Sequence, residues 1–256
     1  MDHNSPGAES EYYHHGFKDL CRLVGQPRAL QIVEQYKSQP FDNIPCVKSS
    51  RLISTYQNPE TDNETLNLLD RRCSVFYPPI DKFQNKGKPK HLTLRQIIDL
   101  IRSERFKPET DGVKLIDKKT EKKRNREFKA ANFCYATFSG TFSYSSDESL
   151  IQHSCFICVD LDDLDERLLE VQAKINADTA TIMSFISPNG DGLKVVYEMD
   201  PKAYSQLEYY KAYTNYLNKL CGLKPKDIDS SCSNVSRACF LSHDPDIFVN
   251  PYFAAQ

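Results

Sequence analysis

The sequence predicts an α+β fold, a ferredoxin- or RRM-like antiparallel sheet covered by helices. Three observations predict it. Past residue 130, apolar runs and helical periodicities alternate in the order β-α-β-β-α-β. Two of the runs, 179–186 and 193–198, are joined by Ser187-Pro188-Asn189-Gly190-Asp191-Gly192, a spacing and chemistry that predict a hairpin. A third run, 155–161, is nearly continuously apolar and reads as a buried strand. With 39% hydrophobic and 27% charged residues over 256 positions, the chain can bury a sizeable core.

Taken in order, residues 1–12 read as disordered. In 13–37, Phe17, Leu20, Leu23, Leu30, Ile32, Val33 and Tyr36 suit two short helices broken at Gly25-Gln26-Pro27. A strand is expected at 51–57, a loop at 59–64, and a short apolar run at 73–77 that Pro78-Pro79 stops. Leu94, Ile97, Ile98 and Ile101 fall at helical spacing and predict a helix over 93–105. The basic stretch KKTEKKRNREFK occupies 118–129. Strand-turn-strand is expected at 133–142 around Ser139-Gly140, and helices over 164–175 and 204–220, the latter ended by Gly222 and Pro225. The chain then divides into a partly helical N-terminal extension (1–75), a basic helical segment (76–129) and an α+β core (130–256).

The net charge of -2 is unevenly spread. Residues 81–130 carry 16 Lys/Arg against 8 Asp/Glu, a net of +8, which leaves 17 against 27, a net of -10, elsewhere. A basic segment beside an acidic body points to a polyanion partner and metal-binding carboxylates, although a solvated helix and loop would look the same. The nine cysteines show no framework spacing. The polar first 11 residues do not suit a secretory signal, and no apolar run approaches the ~20 residues that span a bilayer. A reducing cytoplasm with free thiols, and no membrane, is the expectation.

Three stretches carry chemistry. In Cys158-Val159-Asp160-Leu161-Asp162-Asp163, positions two apart on a strand share a face. Asp160 and Asp162 therefore project together behind Phe156 and Cys158, while Ile157, Val159 and Leu161 face the core. Paired carboxylates repel unless a cation lies between them, and hard oxygens suit Mg²⁺ or Mn²⁺. The plainer alternative is an acidic turn that caps the next helix. In the hairpin turn, Gly190 and Gly192 allow close approach to an anion, Ser187 opens the turn, and Lys194 can reach a phosphate. An ordinary Asn-Gly and Asp-Gly turn would read alike. In DIDSSCSNVSR, over 227–237, Asp229 offers a third carboxylate and Arg237 a bidentate clamp for a triphosphate; a polar loop with a surface arginine is the alternative. His153, Cys155 and Cys158 do not suggest zinc, because Cys155 and Cys158 would point to opposite faces of a strand.

Together these stretches resemble the archaeo-eukaryotic primase superfamily. Its pattern is a strand ending in Asp-x-Asp, a Ser/Gly-rich hairpin ending in His or Lys, then an apolar-Asp element followed by Arg. Here these are ICVDLD, SPNGDGLK and DIDSSCSNVSR. The closer resemblance is to a branch in mobile elements and phages of Bacteroidetes, labelled VirE N-terminal or BT4734-like N-terminal domain. It opens with a stretch like FCYATFSGTF and closes with one like SRACFLSHDPDIFVNP.

The resemblance implies a primase-polymerase-like core. It assigns metal and catalytic roles to Asp160, Asp162 and Asp229, and nucleotide contacts to Ser187, Gly190, Gly192, Lys194 and Arg237. Lys194 stands where many members have His, which keeps a phosphate contact but supplies no acid-base group at neutral pH. The expected activity is nucleotidyl transfer on a DNA template with nucleoside triphosphates and Mg²⁺ or Mn²⁺. Lys118, Lys119, Lys122, Lys123, Arg124 and Arg126 are expected to contact nucleic acid. Since the sequence ends at Gln256, unwinding is expected from a separate helicase. Two other classes stay open: a non-catalytic DNA-binding replication module, and a metal-dependent nuclease with Lys194 as its base.

Overall fold

The computed structural model describes residues 67–79, 88–229 and 233–254, with Ile32, Val33 and Gln35. The strand expected at 51–57 and most of the helical pair expected in 13–37 lie outside the described residues. Ile32 and Val33 are helical and buried in the core.

The elements run β1 (Arg72–Phe76), β2 (Lys90–Thr93), α1 (Leu94–Arg102), α2 (Lys107–Lys114), α3 (Lys122–Asn132), β3 (Tyr135–Thr137), β4 (Gly140–Phe142), β5 (Leu150–His153), β6 (Phe156–Leu161), α4 (Leu168–Asn176), β7 (Thr181–Ile186), β8 (Leu193–Glu198), α5 (Gln206–Cys221), β9 (Cys239–Phe240), β10 (Phe248–Val249) and α6 (Pro251–Ala254). They build an α+β fold of two four-stranded antiparallel sheets, ordered β2-β1-β3-β9 and β10-β7-β8-β6, with β4-β5 as a separate hairpin.

Each sheet face follows from a period of two. On β6, Ile157, Val159 and Leu161 enter one core with Val195 and Tyr197 of β8 and the aromatic face of α5. The other face, Phe156 with Cys158 packed beside it, enters a second core together with Val75, Ala136 and Cys239 of the first sheet. The β6–β8 sheet is thus covered by helices on one side and by the other sheet on the opposite side.

The split β-α-β core expected from the element order is present: β6 and β7 flank β8, and both are antiparallel to it. The expected fourth strand differs. Among the described residues one isolated pair bridges beside β6, Leu161 with Ile228, and the next strand in the sheet, β10, lies on the far edge against β7. Just before this bridge Asp227 closes a turn: its Oδ2 accepts from the Lys224 backbone N–H at 2.8 Å and from Arg167 at 2.9 Å.

Other boundaries also move. The helix expected over 164–175 starts at Leu168, because Asp163 and Asp165 hold φ of 54° and 46°, a backbone an α-helix does not admit. The helix expected over 93–105 ends at Arg102, where extended Ser103 caps a 3₁₀ turn at Glu104–Phe106. The helix α5 begins in a Ser205/Glu208 capping box and ends at Gly222 with φ of 64°, which glycine adopts freely. The divisions expected at 75/76 and 129/130 fall inside β1 and α3, because Val75 and Ala136 pair in one sheet. Among the described residues, no helix is long and apolar enough to cross a membrane.

Candidate metal centre

Asp160 lies near the C-terminal end of β6 and Asp162 just beyond it, where the alternating face puts Asp160 on the side of Phe156 and Cys158. The single bridge beside Leu161 brings up the third acid. The Asp229 N–H donates to the Asp160 carbonyl at 3.0 Å, and the Asp162 N–H donates to the Asp227 carbonyl at 2.8 Å. Tyr210 of α5 donates its hydroxyl to the Asp229 carbonyl at 2.6 Å. One carboxylate oxygen each from Asp160, Asp162 and Asp229 then lies within 4.8 Å of the others.

Two cations stand in this cluster. Lys194, opposite Asp160 on β8, pairs with the Asp160 Oδ2. Arg237 places Nη2 at 2.6 Å from Asp229 Oδ2. Burial opposes the Lys194 charge, but the Asp160 carboxylate outweighs it and holds the ammonium well above its usual range. Asp162 goes the other way: burial first, then the Asp160 charge, pushes its carboxyl up to about 6. The Asp160 Oδ1 has no hydrogen-bond partner among the described residues. A crowded, under-neutralised set of hard oxygens is a fit for a divalent cation, which would be held by Asp160, Asp162 and Asp229.

The glycine turn lies against this site in a way its composition did not specify. Gly190 has φ of 82°, as its place in the turn demands. A Cβ on Gly192 would overlap the Leu161 carbonyl, so this glycine brings the turn close to β6. The Ser187 N–H donates to the Gly192 carbonyl at 2.9 Å, while its buried Oγ has no partner among the described residues. The Leu164 N–H donates to the Asp191 carbonyl at 2.8 Å and joins the turn to the acidic loop.

The basic residues divide into two groups. Lys118 bridges the two loops, pairing with Asp163 at 2.6 Å and with Asp191. Lys119 lies 3.4 Å from Asp165. Lys122, Lys123, Arg124 and Arg126 are exposed on α3, where Arg124 pairs with Glu121 at 2.6 Å. Buried Asn125 docks α3 on the turn, donating to Asn189 Oδ1 at 2.9 Å and to the Ile116 carbonyl at 3.3 Å.

One turn further along the same helix face, Lys129 is half-buried, and its ammonium is pushed down by burial and then by Lys194, against the pull of Asp162 and Asp160. It is a site residue the sequence reading did not single out; its spacing of four from a buried asparagine is the one local signal. Cys158 Sγ lies 3.7 Å from Cys239 Sγ, across the two sheets.

Fold and site together define an α+β domain with a three-carboxylate cluster where its two sheets meet. Residues 127–249 match the family model described as BT4734-like, N-terminal domain. No curated protein and no solved structure matches the chain.

Proposed function

We propose that the protein is a metal-dependent nucleotidyltransferase of the primase-polymerase type, acting on a DNA template with nucleoside triphosphates in the replication of a mobile element or phage. The observation that carries this reading is the convergence of Asp160, Asp162 and Asp229 within 4.8 Å, beside Lys194 and Arg237. A bound Mg²⁺ or Mn²⁺ would lower the pKa of the attacking hydroxyl and offset charge on the leaving pyrophosphate. The three carboxylates supply the hard-oxygen seat. With a cation in that seat, Lys194 and Arg237 would offer the triphosphate a point charge and a planar fork.

The test has two parts. Calorimetric titration with Mn²⁺ should give binding that the Asp160→Ala/Asp162→Ala variant lacks. The unmodified protein with Mn²⁺, primed template and nucleotides should extend the primer, and the variant should not, while both bind DNA. Metal binding without any product would favour a replication module that binds DNA and performs no chemistry.

A nuclease reading would rest on the carboxylates alone, since Lys194 is held beside Asp160 as an ammonium well above its usual range and does not serve as a base. Labelled DNA with Mg²⁺ and no nucleotide separates the two, since only a nuclease shortens it.

A further inference from the structure

Beside the carboxylates the two sheets leave a narrow hollow with room for about one water-sized group, lined by Phe138, Ser139, Cys158, Asp160, Gln206 and Arg237 among others. Most of its wall is explained by packing or by the metal seat. Gln206 is not. It is the first residue of α5, held there by the Ser205 capping box, and it is 4% exposed. Its Nε2 donates to Ser139 Oγ at 2.9 Å, and its Oε1 has no hydrogen-bond partner among the described residues. Ser139 is itself fixed from behind, because its carbonyl accepts from the Ser154 N–H at 3.0 Å. A buried amide left half-bonded is unfavourable unless something completes it.

We infer that this hollow receives a sugar hydroxyl of the nucleoside triphosphate, with Gln206 as the group that reads it. The inference rests on the nucleotide reading of the carboxylate site. The size admits a hydroxyl and leaves the sugar ring at the mouth, next to Asp160 and Arg237. The chemistry fits whichever way the amide is turned, because a hydroxyl donates to the carbonyl oxygen or accepts from the amide nitrogen equally well. A site that hydrogen-bonds a ligand hydroxyl from a dry pocket rejects the analogue without it strongly, since its own polar group is then stranded. Gln206 is therefore a specificity-determining residue. It discriminates nucleotides by their sugar and leaves the triphosphate to Lys194, Arg237 and the metal seat.

The experiment is calorimetric binding to the full chain in Mn²⁺ without DNA, using ATP, 2′-deoxy-ATP, 3′-deoxy-ATP and inorganic tripolyphosphate. One of the two deoxy analogues should bind at least ~10-fold more weakly than ATP. The Gln206→Met variant should bind ATP and that analogue alike, with tripolyphosphate affinity unchanged. Both deoxy analogues binding unmodified protein as tightly as ATP would overturn the inference, leave the hollow to a water molecule and leave the carboxylate site standing. Failure of unmodified protein to bind ATP and tripolyphosphate at all, while binding Mn²⁺, would instead remove the nucleotide reading beneath it. The unmodified protein decides the matter alone if the variant does not fold.

Discussion

The strand β8 carries a charged side chain at each end of one face, and the two ends are built for different purposes. At one end Glu198 pairs with Arg71 at 2.8 Å, with side chains 4% and 7% exposed, and the guanidinium lies 5.8 Å from the Phe156 ring centre. At the other end Lys194 pairs with Asp160, whose side chain is 18% exposed. The first is one carboxylate and one cation, closed off. The second sets Lys194 and Arg237 against three carboxylates. Charge stoichiometry, more than burial, distinguishes a staple between two sheets from a seat awaiting a cation. Between them Cys158 and Val196 pair across the same ladder and keep the two ends apart.

The largest effect on stability belongs to the closed end. Glu198→Ala strands the Arg71 guanidinium in the core and should cost about 3–5 kcal/mol in urea unfolding. A cost near that of an exposed pair, under about 1 kcal/mol, would break the distinction. His153, close enough to feel Arg71, adds an acid limb to the same region. Its Nδ1 accepts from the Cys155 N–H at 2.9 Å, and burial, then Arg71, pushes its pKa down to about 4. The folded pKa lies below the unfolded one, so this stability is complete above about pH 6.5 and lost as pH falls toward 4. The loss should reach roughly 3 kcal/mol, at about 1.4 kcal/mol per pH unit. Unfolding measured across that window should show a slope that His153→Gln abolishes.

The open end should respond with the opposite sign. Folded Asp162 keeps its proton up to about pH 6, whereas an unfolded aspartate releases it near 3.9. Above that range its ionised form works against the fold. Asp162→Asn should therefore stabilise the metal-free protein at pH 7 by about 1–3 kcal/mol while weakening Mn²⁺ binding. A variant less stable than its parent without metal would mean that the three carboxylates do not strain one another.

How much of this was legible depends on the range of the interaction. The shared face of Asp160 with Phe156 and Cys158 follows from a period of two, and so did the apolar face of Ile157, Val159 and Leu161. Asp229 had no such signal. It arrives through one backbone bridge beside Leu161, and no periodicity encodes a single bridge; the sequence offered the carboxylate but not its meeting with the other two. That Lys194 would meet Asp160 required the register of β6 on β8, where Gly192 lies close against the Leu161 carbonyl. The partners of Gln206 and Lys118 were illegible for the same reason: each lies more than 40 positions away.

The smallest expected effect concerns the basic residues and sharpens the comparison from outside the site. Lys118 is bound to Asp163 and Asp191, so Lys118→Met should cost about 1 kcal/mol as the two loops lose their shared cation. Lys122, Lys123, Arg124 and Arg126 are exposed on α3, and replacing all four with Gln should change stability by no more than ~0.5 kcal/mol. Their effect should appear in DNA binding instead. The dependence of log affinity on log salt should flatten by about 0.9 for each phosphate contact removed. Equal salt slopes for parent and variant would mean that this face of α3 does not meet the template, and that the DNA path lies along another surface.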